Sequence, residues 1–162
     1  MSHRISFGTI TFGEIQPDTH RELRADLAAY NPFCFKFTNM RKMYPEYMAV
    51  LIEHAPRVHT IYIDTPGPLI DVMPVIQACT NAITVEFGIL PDDMLRELFE
   101  VLVALPLLTK CTVRFEALIA ASFTTELMEM LTPKIKTVRL CSLYSSLRKQ
   151  IPVFPELECA DV

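Results

Sequence analysis

Short runs that alternate polar and apolar residues recur along the chain: TITF from Thr9, CFKF from Cys34, TIYI from Thr60, TVEF from Thr84, TVRF from Thr112 and TVRL from Thr137. Alternation enriched in β-branched residues marks a strand with one buried face. Aligned on their first hydrophobic positions, Ile10, Phe35, Ile61, Val85, Val113 and Val138 stand 25, 26, 24, 28 and 25 residues apart. A period in this range is the signature of a stacked repeat.

Between these runs the hydrophobic period lengthens to that of a helix. PDTHRELRADLAAY, YPEYMAVLIEHA, LIDVMPVIQACT, PDDMLRELFEVLVAL and FTTELMEMLT fill the intervals. In the fourth, Pro91 suits a first helical turn, Asp92 and Asp93 sit where the helix dipole favours anions, and Met94, Leu95, Leu98, Phe99, Leu102 and Val103 form one stripe. Thr19 and Glu22 have the spacing of a capping box. Pro32, Pro56, Pro106 and Pro133 fall shortly before strands, where they stop a helix. The predicted unit is strand, turn, helix, loop, and it occurs six times in one domain spanning 1–162. The strands lie near 9–12, 34–37, 60–63, 84–87, 112–115 and 137–140. FPELECADV opens a partial seventh at 157–162, with Ala160 and Val162 expected to point inward.

These residues resemble the leucine-rich repeat family, in the helix-containing subtype of ribonuclease inhibitor and of F-box protein repeats. The family pattern L-x-x-L-x-L is matched by Val58, Ile61 and Ile63, by Ile135, Val138 and Leu140, and by Ala82, Val85 and Phe87. The resemblance implies an α/β solenoid, a horseshoe segment with a parallel sheet on its concave face and helices on its convex face. Where the family places Asn or Cys, this chain has Ile15, Met40, Pro66, Leu90, Leu118 and Leu143, which implies an irregular horseshoe. The rival architecture is a doubly wound sheet, but only four glycines are present and no phosphate-binding loop follows a strand.

Stacking in register would align outward residues into columns. The expected first column is Thr9, Cys34, Thr60, Thr84, Thr112, Thr137, and the second is Thr11, Lys36, Tyr62, Glu86, Arg114, Arg139. The third includes Asp64 and Glu116. Charge and size change from repeat to repeat along the second column, as on a recognition surface. The candidate partner-binding residues are therefore Lys36, Tyr62, Asp64, Glu86, Arg114, Glu116 and Arg139, with Tyr62 the leading anchor. The plainer account is a solvated face whose charges pair laterally, Glu86 with Arg114 and Glu116 with Arg139. The expected function is a non-enzymatic scaffold for protein–protein interaction, with neither cofactor nor metal, and with self-association through the end repeats as a further expectation.

A second reading comes from LPDDMLRELFEVL, Leu90 to Leu102, which resembles the opening of the F-box motif and would imply a cullin-ligase adaptor recruiting Skp1. The segment is in phase with the other repeats, however, and the chain has no Trp, which that motif carries downstream. A third reading, an RNA-associated adaptor, rests on Lys134, Lys136, Arg139, Arg148 and Lys149, with Tyr144 alone available for stacking.

Composition narrows the class further. A chain that is 51% hydrophobic and 21% charged is a packed domain rather than a disordered one. A net charge of −4 disfavours a polyanion-binding surface over the whole molecule. Cysteines at 34, 79, 111, 141 and 159 are odd in number and lack C-x-x-C spacing, so they read as reduced thiols. A zinc site would need long-range assembly with His3, His20, His54 or His59. With no signal-like apolar run and no membrane-length stretch, the expected location is intracellular, cytoplasmic or nuclear.

Overall fold

The computed structural model describes residues 3–6, 8–12, 19–38, 43–65, 72–88, 94–114, 129–141 and 156–160, with the backbone alone at 113–114, 138–141 and 156–160. Its strands are β1 (His3–Ser6), β2 (Thr9–Phe12), β3 (Cys34–Thr38), β4 (Thr60–Asp64), β5 (Thr84–Phe87), β6 (Lys110–Arg114), β7 (Thr137–Cys141) and β8 (Glu156–Ala160). Among the described residues the α-helices with both ends defined are α1 (His20–Tyr30), α2 (Pro45–His54), α3 (Met73–Ala78) and α4 (Leu95–Ala104). All eight strands form one open α/β sheet in sequence order, parallel from β2 to β8. The order never reverses, so the described strands contain no switch point of the doubly wound kind.

The helix layer follows the same order, since α1 touches α2, α2 touches α3 and α3 touches α4. Alternation along the strands determines what lies beneath it. Ile10, Phe12, Phe35, Phe37, Ile61, Ile63, Val85 and Phe87 are fully buried in one core with Leu23 and Leu27 of α1, Leu51 of α2, Val75 and Ile76 of α3, and Leu98, Phe99 and Leu102 of α4. Aromatic rings bridge sheet and helices at both ends of this core. Phe12 lies 5.3 Å from both Phe35 and Phe37 and 6.2 Å from Tyr47, and Phe87 stacks on Phe99 at 5.4 Å.

The N-terminal hairpin was not expected. β1 pairs antiparallel with β2 through a two-residue connection, Ser6 facing Thr9, and Gly8 turns the corner at φ 75°. A Cβ at Gly8 would also run into the ring of Phe33, which would have to swing aside. His3 ties the hairpin to the helices: Nε2 meets Asp26 Oδ2 at 2.8 Å and Nδ1 meets the Tyr47 hydroxyl at 3.3 Å.

One local expectation is corrected. Thr19 occupies the N-cap of α1 but makes no side-chain cap hydrogen bond, so the capping box does not form. Helix α4 begins at Leu95 behind Met94, which has a left-handed φ of 61°, and the expected first-turn residues Pro91, Asp92 and Asp93 lie outside the described residues. The positions where the family places Asn or Cys all lie outside the described residues.

One backbone feature recurs where each strand begins. The carbonyl of Gly8 accepts from the N–H groups of both Phe33 and Cys34. Phe33 does the same for His59 and Thr60, His59 for Ile83 and Thr84, Ile83 for Thr109 and Lys110, and Thr109 for Lys136 and Thr137. Five forked carbonyls thus stitch consecutive units together.

Candidate partner-binding face

Parallel sheets normally carry helices on both faces, and their strands then read as continuous apolar runs. These strands alternate instead, and their second face carries Thr9, Thr11, Cys34, Lys36, Thr60, Tyr62, Thr84 and Glu86. No described helix contributes to that face. Register places Thr11, Lys36, Tyr62 and Glu86 side by side, and the row continues through Thr112, Arg139 and Glu158.

Arg114 is therefore not in the row, which corrects the expected column. The Cα partners of Thr84, Val85 and Glu86 are Lys110, Cys111 and Thr112, two residues earlier than the repeated TVRF phrase implied. A shift of two preserves which residues face inward, so alternation could not reveal it. The burial pattern explains the choice. Leu108 is fully buried and Cys111 is 1% exposed, matching Val58 and Ile61, Ala82 and Val85 in the neighbouring units. Arg114 instead sits opposite Cys141. The expected lateral pairing of Glu86 with Arg114 is thus not an opposed pair, and Glu116 lies outside the described residues. Arg139 holds its place in the row. At the far end, β8 puts Leu157 and Cys159 opposite Val138 and Leu140, so these, rather than Ala160, take the inward register, and Val162 lies outside the described residues.

Tyr62 is 5% exposed, which changes its role. The ammonium of Lys36 lies 4.4 Å from its ring centroid and covers it from the adjacent strand. Its hydroxyl reaches Asp64 Oδ2 at 3.5 Å. The ring is thus a lateral spacer, and the Lys36 ammonium and the carboxylates of Asp64 and Glu86 are what the surface displays there. Asp64 can lie flat because Gly88 is its neighbour: a Cβ on Gly88 would stand 2.6 Å from Asp64 Oδ1. This Gly–Asp contact was missed in the sequence, although a glycine following TVEF hints at a close approach.

The described thiols are poor nucleophiles. Burial raises the Cys34 thiol against the opposing help of the Thr9 hydroxyl, burial pushes Cys79 up to about 12, and burial raises Cys111 further with Glu86 adding to it. Among the described residues, no three His, Cys, Asp or Glu side chains are grouped as a metal ion would require. The F-box-like stripe is used internally, with Leu95, Leu98, Phe99 and Leu102 buried in this chain's own core. No described helix is long and apolar enough to cross a membrane.

Compared with known proteins, the chain matches no family model, no curated protein and no solved structure.

Proposed function

We propose that this chain is a non-enzymatic, intracellular scaffold of the leucine-rich-repeat kind. In this reading the sheet lines the concave side of a horseshoe segment, the helices form its convex side, and the open face receives a partner protein. The observation that carries it is a parallel sheet with one face to which no described helix contributes. Strand order equal to sequence order and the repeated forked carbonyls support a one-directional stack, in which each unit contacts its neighbours. Along the open row, lysine, tyrosine and glutamate succeed one another on a constant backbone. Such variation on a rigid frame gives specificity without a large ordering cost on binding.

The test exchanges two charges that are partly exposed. Lys36→Glu combined with Glu86→Lys leaves the core beneath the helices untouched, gives up the Lys36 contact over the Tyr62 ring and reverses the row's local polarity. Cross-linking followed by mass spectrometry in the native cells should show a partner held by the wild type and lost by the variant, with both shown to melt cooperatively. If every specific association survives the exchange, the face is a solvated surface and the reading fails.

A further inference from the structure

We propose that the edge where the strands begin is a second docking surface, shaped and charged for an acidic amphipathic helix of a partner protein. Four of the five large apolar residues that the described chain exposes lie on this edge or beside it. They are Tyr30 at 63%, Phe33 at 50%, Ile83 at 39% and Leu107 at 48%. The loops that lead into the strands, 31–33, 55–59, 79–83, 105–109 and 132–136, contain no Asp or Glu, in a protein of net charge −4. They do contain the exposed cations Arg57 and Lys136, and Lys110 is exposed at the first position of β6. Lys134 adds a fourth cation, anchored to the Val103 carbonyl at 2.7 Å. The nearby carboxylate of Glu53 is already engaged by Arg24 at 2.6 Å.

The edge is also rigid. Phe33, His59, Ile83 and Thr109 carry the forked carbonyls, so the backbone beneath these side chains is bonded on both sides. Exposed apolar groups on a fixed frame are costly to leave in water and lose little entropy when covered. With neighbouring strands about 4.8 Å apart, β3 to β7 spans roughly 19 Å. That is the length of about 13 residues of helix at 1.5 Å each.

Apolar and cationic positions share this edge, which suits a helix bearing Leu or Phe on one side and Asp or Glu beside it. A nucleic-acid strand would require a continuous cationic track with aromatic rings along it. Here Tyr30 and Phe33 are at one end and Lys134 and Lys136 at the other.

The test uses the intact chain and a displayed library of random peptides roughly 16 residues long, enough for a helix of that span. Panning is repeated on an Arg57→Glu, Lys136→Glu variant, on an Ile83→Ser, Leu107→Ser variant, and on the Lys36→Glu, Glu86→Lys exchange. All are first shown to melt cooperatively. The expected result is a set of acidic, apolar-bearing peptides whose binding falls at least about tenfold on both edge variants and is unchanged on the exchange. Retention on the edge variants, or edge-dependent binders that are neutral or basic, overturns the proposal, as does a library without edge-dependent binders. Tighter binding of oligo(U), or of phosphatidylserine–phosphatidylcholine vesicles at roughly 1:3, overturns it in favour of a polyanion. Because the exchange variant serves as the internal control, failure of the open face and failure of the edge are read separately.

Discussion

Replacing Gly88 with alanine tests the geometry of the open face most directly. The added Cβ would stand 2.6 Å from Asp64 Oδ1, 2.7 Å from Cγ and 2.9 Å from Cβ. Ordinary carbon contacts are about 3.5–4.0 Å, so the two strands must part by several tenths of an ångström. Rotating the carboxylate away relieves the first two contacts but not the third, which involves two atoms fixed to paired backbones. Overpacking of this kind costs about 1–3 kcal/mol. Gly88 has no left-handed φ, so alanine also gains about 0.4–1 kcal/mol by restricting the unfolded chain. The net expectation is a loss of about 1–2 kcal/mol, or a melting shift of roughly 2–8 °C for a chain of this size. In an Asp64→Gly background the obstacle is gone, and the same substitution should become neutral or mildly stabilising. That reversal of sign in a four-member cycle, read by urea denaturation, is the diagnostic result. Equal effects in both backgrounds would refute the close approach and the account of why Asp64 lies where it does.

Register supplies a second prediction. Paired cysteines introduced by Glu86→Cys and Thr112→Cys should oxidise to a disulfide, whereas Glu86→Cys with Arg114→Cys should not. An offset of two residues puts the Cα atoms about 8 Å apart, beyond disulfide reach, and non-reducing mass spectrometry decides between them. Asn31 caps α1 in the left-handed region, φ 43°, with its N–H on the Leu27 carbonyl, so Asn31→Ala should cost about 1 kcal/mol while Asn31→Gly is tolerated, read by thermal melts. His54 is held below the ordinary histidine value of 6.5, chiefly by burial and then by Arg57. Its contribution is complete above that value and is lost as pH falls below it and through the lower folded value, because the unfolded chain takes up the proton more readily. A small decline in melting temperature on acidification should therefore flatten in His54→Gln; an unchanged slope would show that other groups set it.

Much of the fold was legible because each strand spells out its own alternation and each helix its own stripe. The period located β2 to β5 and β7 without any knowledge of neighbours. Register was harder, since the eye aligns TVRF with TVEF by likeness of letters, whereas the core aligns them by Leu108 and Cys111. The lead-in residue, two positions before the strand, was the better guide: Val58, Ala82, Leu108 and Ile135 are all buried. The opening hairpin is not legible in the sequence because HRIS is short and Gly8 marks its corner only through its positive φ. At the site, the choice of Lys36, Tyr62 and Glu86 as neighbours followed from the period. The burial of Tyr62 and the Lys36 ammonium over its ring did not, because they are matters of three-dimensional contact.

The forked carbonyls have a mechanical consequence. Each rung joins only units that are consecutive in the chain, from Gly8 through Thr109. A tension applied between residues 3 and 160 would therefore load one ladder at a time, in the manner of an opening zipper, rather than shearing all of them together. The protein should extend in small successive steps at modest force and re-form them as the tension relaxes, giving a compliant element rather than a brittle one.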